Sequence, residues 1–197
     1  MNRAIARKIF RLYIESPIVA LMVHLKISPN FVTLIGLLIA LSSTYFISAG
    51  LFACGGLMLL ASGIFDLFDG ALARATCKTT IFGALLDSLV DRISEAAILF
   101  GLLIWYLSVH STLGAILTWA TLISSFTVSY TRARAEGLGV SITNGIMTRP
   151  ERVTLMSIGL ILGHWWTPII QISLGIITAL SVITTIQRIL QVSKNLK

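Results

Sequence analysis

Long apolar runs alternate with short polar stretches along this chain, and the lengths of the runs set the first expectation. Apolar residues fill Phe31 to about Ser48, Leu51 to Ala75, Thr79 to Leu107 and Leu113 to Thr131. Each run approaches or exceeds the ~20 residues that a helix needs to cross a ~30 Å hydrocarbon core. Val153 to Gln187 holds two further spans, the fifth of them short, broken by Gly163 to Pro168. Ser28 followed by Pro29 marks entry into the first span, with Ser as N-cap and Pro at the first helical position. Ahead of it, Arg3, Arg7, Lys8, Arg11 and Glu15 occupy one arc of a helix over residues 3–15, with Ile5, Ile9, Leu12 and Tyr13 on the opposite arc. Such a helix lies along an anionic membrane surface or packs on its own bundle, and the pattern fits both equally. The fold class predicted is all-α: a polytopic membrane protein with six transmembrane helices over residues 27–190 and an N-terminal amphipathic surface helix in a juxtamembrane segment over 1–26. A single domain over 1–197 suffices.

Composition agrees with this pattern. With 56% hydrophobic and 12% charged residues in 197, and a mean hydropathy of +0.91, the chain is too apolar for a soluble domain. A formal charge of +7 raises nucleic acid as a partner, but the positions of the charges argue against it. If the spans alternate, Arg3 to Lys26, Arg74 and Lys78, Arg132 to Arg152, and Arg188 to Lys197 all fall on one side. The connections near Ala49, His110 and His164 contain no Lys or Arg. By the positive-inside rule, both termini and the polar chemistry of this multi-pass protein face the cytoplasm at the cell membrane. No cleavable signal peptide is evident, and Cys54 and Cys77 lack metal-ligand spacing.

Acidic residues are scarce, eight in all, yet Asp66, Asp69, Asp87, Asp91 and Glu95 fall within thirty residues at the adjoining ends of two spans. A lone carboxylate in a membrane helix costs ~2.5–3.5 kcal/mol on insertion scales, so four together call for a compensating cation. Asp66 and Asp69 are spaced i, i+3 and Asp87 and Asp91 i, i+4, so each pair projects from one helix face. Two such pairs suit one ion, or two ions ~3.5–4 Å apart. All-oxygen ligation favours Mg²⁺, or Mn²⁺, over zinc, and Mg²⁺ normally partners phosphates. Gly70 and Gly83 leave room for a ligand against the backbone, though close helix packing explains either glycine alone. Arg74, four residues beyond Gly70, is suited to a pyrophosphate.

Together these residues read D-x-x-D-G-x-x-A-R, eight residues, G-x-x-x-D-x-x-x-D, from Asp66 through Gly70, Ala73, Arg74 and Gly83 to Asp87 and Asp91. The string resembles the signature of the CDP-alcohol phosphotransferase family, with no departure at any fixed position, and the length and spans fit along nearly the whole chain. The resemblance implies that Asp66, Asp69, Asp87 and Asp91 hold metal, two ions in the family's manner, and that Asp91 also acts as general base. It further implies that Gly70, Ala73, Arg74 and Gly83, with Pro29, Asn30, Phe31, Val32 and Thr33 and more weakly Thr80, bind the CDP-lipid. A homodimer is common in the family. In the implied chemistry an acceptor hydroxyl, losing its proton to a carboxylate, attacks the β-phosphorus while metal neutralises charge on the departing CMP.

A second cluster concerns the acceptor. Tyr130-Thr131-Arg132-Ala133-Arg134-Ala135-Glu136 follows the fourth span and Arg149-Pro150-Glu151-Arg152 opens the fifth. These arginines are topological anchors or ligands for a phosphate. The two strings, with Ile186-Gln187-Arg188, resemble the branch of the family that accepts inositol phosphate, which includes phosphatidylinositol phosphate and archaetidylinositol phosphate synthases. That resemblance places an acceptor phosphate on Arg132, Arg134, Arg149 and Arg152, which flank one short cytoplasmic loop expected beside the aspartates. Phosphatidylglycerophosphate synthase is the alternative, because glycerol phosphate also calls for arginines. The donor lipid, CDP-diacylglycerol or CDP-archaeol, leaves no mark on the sequence. A cation transporter would also use intramembrane carboxylates, but no inverted repeat is present and the polar groups lie to one side.

Overall fold

The computed structural model describes residues 15–142 and 145–195, and every regular element among them is a helix. In order these are α1 (Ser16–His24), α2 (Pro29–Ser48), α3 (Phe52–Ala75), α4 (Ile81–Ser108), α5 (Thr112–Gly137), α6 (Arg149–Gly163) and α7 (Pro168–Asn195). Apart from Glu15, the amphipathic helix expected over 3–15 lies outside the described residues. α1 follows it, with Pro17 in its first turn, where no backbone N–H is required. Helices α2 to α7 occupy the positions of the six expected spans. The largest differences are at α7, which runs eight residues past Gln187 to Asn195, at α5, which continues six residues past Thr131 to Gly137, and at α6, which starts four residues early at Arg149.

Four helices, α2, α3, α5 and α7, are long and apolar enough to cross a membrane, and the protein is of the all-α membrane class. The expected six are not all reached on this measure, for two reasons. α4 is 28 residues long, but Asp87, Asp91, Arg92 and Glu95 interrupt its apolar character. α6 has 15 residues, which at 1.5 Å per residue reach about 22 Å.

Helix ends are set locally. Ser28 Oγ accepts the Phe31 N–H at 3.3 Å, next to Pro29 at the start of α2. The turn after α3 places Cys77 at φ 53°, where glycine is usual. The Lys78 N–H bonds back to the Ala73 carbonyl at 3.0 Å, closing the helix end.

The described chain divides into two compact units, residues 15–39 with 61–93, and residues 40–60 with 94–142 and 145–195. In the first, Val19 of α1, Val32 of α2 and Phe68, Ala71 and Leu72 of α3 form the core. Ser62 Oγ donates to the Gly36 carbonyl at 2.9 Å, tying α3 to α2. In the second, Ile47, Leu102, Tyr106, Leu160 and Leu174 lie at the centre of a larger core. Its helices touch through small residues, as lipid-bathed helices do. A Cβ on Gly101 would stand 2.7 Å from the Thr44 carbonyl oxygen, so α4 and α2 are in backbone contact there.

α5 and α7 run parallel. Thr121 meets Thr178 at 2.8 Å, and ten residues further along α7, Arg188 donates to the carbonyl of Val128 at 2.7 Å. α6 runs the other way, with Gly159 against Ser173 and Gly163 against Ile170.

Candidate active site

α3 and α4 bring three carboxylates together. One oxygen each from Asp66, Asp69 and Asp87 lies within 4.8 Å of the others. Oxygens sharing a Mg²⁺- or Mn²⁺-sized ion at about 2.1 Å stand about 3–4.2 Å apart, so small side-chain rotations would complete such a site. Asp69 is held most firmly. It is 5% exposed, and Thr33 Oγ1 at the head of α2 donates to its Oδ2 at 2.6 Å. Asp91, one turn beyond Asp87 on α4, is half-buried and outside this group of three.

Beside the carboxylates lies a cavity of about 200 Å³. Pro29, Asn30, Thr33, Gly70, Ala73, Arg74, Thr80 and Gly83, all expected from the sequence, line it together with Asp69 and Asp87. Gly83 must be small. A Cβ there would come within 3.0 Å of Thr80 Oγ1 and 3.4 Å of Asn30 Oδ1. Thr80 Oγ1 in turn accepts the Gly83 N–H at 2.9 Å, capping α4 at the cavity wall. At Gly70 a Cβ would stand 3.3 Å from an Arg74 nitrogen. Arg74 is mostly exposed, and its Nη2 lies 4.0 Å from Glu15 Oε1.

Phe31 and Val32 do not line the cavity. Phe31 is 54% exposed, and Val32 is buried in the core with Phe68 and Leu72. The lining also includes Lys78, Thr79 and Ala84, which sequence reading passed over.

The four arginines lie at the two helix ends that flank the connection between α5 and α6. Arg132 and Arg134 sit in the last two turns of α5, where cations complement the helix dipole. Arg132 Nε donates to Glu136 Oε1 at 2.9 Å on an exposed face. Arg149 and Arg152 fall in the first turn of α6. Arg149 is half-buried. Arg152 is buried and grips Glu95 with a two-pronged contact, Nε to Oε1 at 2.6 Å and Nη2 to Oε2 at 2.8 Å. Arg188 of α7 is buried as well and lies within electrostatic reach of Arg132, Arg152 and Glu136.

The family model described as CDP-alcohol phosphatidyltransferase matches residues 26–187, well over half of the chain. The chain belongs to that family. Archaetidylinositol phosphate synthase of Pyrococcus horikoshii is 37% identical over 181 residues, covering 89% of this chain and 89% of the relative. The crystal structure of Mycobacterium tuberculosis phosphatidylinositol phosphate synthase with CDP-DAG bound superposes with a TM-score of 0.82 at 32% identity, covering 91% of this chain and 93% of that one. The same enzyme in complex with manganese and citrate also gives 0.82 at 32% identity, covering 91% and 88%.

A CDP-alcohol phosphatidyltransferase is an enzyme of phospholipid synthesis, and in this member the convergent carboxylates suit a divalent ion. The family signature directs attention to Asp66, Gly70, Arg74, Gly83 and Asp87. It does not mark Lys78 and Thr79, which fall in the eight-residue gap between Arg74 and Gly83. It does not mark Glu95 either, and the only sequence signal for that residue was an acidic side chain one turn beyond Asp91.

Proposed function

We propose that this protein transfers a phosphatidyl or archaetidyl group from CDP-diacylglycerol or CDP-archaeol to inositol phosphate, releasing CMP and leaving a phosphoinositol lipid that keeps the acceptor's phosphate. The observation that carries the reading is the convergence of Asp66, Asp69 and Asp87 beside a cavity lined by Asn30, Thr33, Gly70, Arg74 and Gly83. A divalent ion there, Mg²⁺ or Mn²⁺ and two ions in the full site, would neutralise the pyrophosphate of the donor and the charge on departing CMP. Thr33 orients Asp69 for that task. Arg74, Thr80 and the backbone at Gly70 and Gly83 hold the nucleotide end of the donor, with Pro29, Asn30 and Ala73 forming the α2 and α3 walls.

Asp91 takes the proton of the acceptor hydroxyl. The hydroxyl oxygen bonds to the β-phosphorus, and the bond from that phosphorus to the bridging oxygen breaks, so the bridging oxygen leaves with CMP. Arg132, Arg134, Arg149 and Arg152 bind the acceptor phosphate, and Arg188 joins them because it shares their electrostatic surroundings. Similarity to synthases named for phosphatidylinositol phosphate and archaetidylinositol phosphate supports inositol phosphate as acceptor. The parallel course of α5 and α7, with α6 returning between them, supports six alternating crossings of the cell membrane, both termini and the active site being cytoplasmic. One family model running from residue 26 to 187 supports treating 1–197 as one catalytic domain. That domain works as a homodimer.

The test is CMP release by purified enzyme offered inositol phosphate, glycerol phosphate, serine and inositol, with each CDP-lipid in turn. Inositol phosphate is expected to give the highest kcat/KM. A preference for glycerol phosphate would make the protein a phosphatidylglycerophosphate synthase, and a preference for an unphosphorylated alcohol would remove the arginines from acceptor binding.

A further inference from the structure

Glu95 has no place in the family signature, yet it pairs with Arg152 largely out of solvent. The Arg152 side chain is 3% exposed and that of Glu95 13%. Both carboxylate oxygens are engaged, at 2.6 and 2.8 Å, in a parallel fork that fixes the plane as well as the position of the guanidinium. Of the five guanidinium N–H groups, Glu95 takes two, and Arg152 Nη1 faces the Met147 carbonyl at 3.4 Å. Arg152 therefore reaches an anion only along a direction that Glu95 sets.

The same contacts fix the segment that leads into α6. Met147 is buried between two anchors, its carbonyl toward Arg152 and its N–H donating to Thr184 Oγ1 of α7 at 3.0 Å. Gly145 packs so closely on α7 that a Cβ would stand 2.6 Å from Thr184 Cγ2 and 3.5 Å from Arg188 Nε. The Arg152 N–H closes the first turn of α6 on the Thr148 carbonyl at 3.1 Å. Thr148 Oγ1 also bonds to Glu151. Arg149 is the first residue of α6, so its backbone is placed by contacts that end on Glu95.

We propose that Glu95 is a positioning residue for the phosphorylated acceptor: by gripping Arg152 it sets the start of α6, and with it the geometry in which Arg149 and Arg152 meet the acceptor phosphate. The inference rests on the acceptor reading given above. It extends that reading to a carboxylate outside both the donor-cavity lining and the group of Asp66, Asp69 and Asp87. Glu95 neutralises one arginine of a cluster that also holds Arg132 and Arg188, which lowers the mutual repulsion of these cations.

The experiment compares wild type, Glu95→Gln and Glu95→Asp in CMP release, with the KM for inositol phosphate and for CDP-lipid measured separately and the melting temperature recorded for each. Glu95→Gln keeps the shape and one acceptor but removes the charge, and is expected to raise the inositol phosphate KM about tenfold or more, with kcat and CDP-lipid KM within about threefold of wild type. Glu95→Asp keeps the charge and is expected to recover part of the acceptor KM at a melting temperature no higher than that of Glu95→Gln. An acceptor KM unchanged in both variants, or a loss shared equally by kcat and the KM for CDP-lipid, overturns the inference and leaves the pair as packing. Wild type that prefers inositol or serine to their phosphorylated counterparts overturns the acceptor reading itself, whatever the variants do.

Discussion

The two units handle charge in opposite ways. In the first, three carboxylates of like sign converge around Asp69, and two of them, Asp69 and Asp87, line a cavity. In the second, a carboxylate and a guanidinium of opposite sign close on each other and are buried. Like charges at such distances repel, so the aspartates favour a bound cation. The Glu95–Arg152 pair is internally balanced, and its worth lies in the geometry it imposes on neighbouring groups.

That contrast is broken most sharply by removing metal. Treatment with a chelator is expected to reduce CMP release to background, with Mg²⁺ or Mn²⁺ restoring it; turnover that survives exhaustive chelation would mean the aspartates need no cation. Asp91→Asn comes next, with kcat expected to fall by about 10²–10⁴ while CDP-lipid binding persists. Near-normal turnover would strip Asp91 of its role as base. On the balanced side, Arg152→Ala strands the Glu95 carboxylate and should cost about 3–5 kcal/mol in an unfolding measurement. A melting temperature equal to wild type would show the pair to be dispensable.

Smaller effects sharpen the same comparison. Gly83→Ala pushes a methyl group toward Asn30 and Thr80 at the donor cavity, and should raise the KM for CDP-lipid about tenfold with the acceptor KM unchanged. Arg132→Ala removes an exposed pair with Glu136, worth no more than about 0.5 kcal/mol. Any larger change it brings should therefore appear in acceptor KM and not in stability, and a pure stability loss would count against Arg132 as a ligand.

Much of this was legible in the sequence because it is local. A run of apolar residues predicts a helix wherever it occurs, and Ser28-Pro29 announces the start of α2 by its own hydrogen bonding. The aspartates are close in sequence and carry their spacing with them. Where the chain is amphipathic in a different sense, the reading fell short. α5 was expected to stop at Thr131 because polar residues begin there, but Arg132 and Arg134 are good helix formers and the helix continues to Gly137. Phe31 and Val32 lie beside Asn30 in sequence, but on a helix neighbouring residues point 100° apart, and only Pro29, Asn30 and Thr33 reach the cavity. The Glu95–Arg152 pair joins residues 57 apart, and no local pattern connects them.

α6 has a consequence for how the protein is made. Only Val153 to Gly163 of it is apolar, a stretch too short to partition into lipid by itself. It packs closely on α3, where a Cβ on Gly56 would stand 2.9 Å from the Ser157 carbonyl oxygen, and on α7, through Gly159 on Ser173 and Gly163 on Ile170, and α7 leaves the ribosome later. In the six-crossing topology proposed above, α6 would enter the bilayer together with α7, whose hydrophobicity then serves both. A nascent chain halted just after Gly163 should leave Arg149–Gly163 open to protease, and one extended through α7 should protect it.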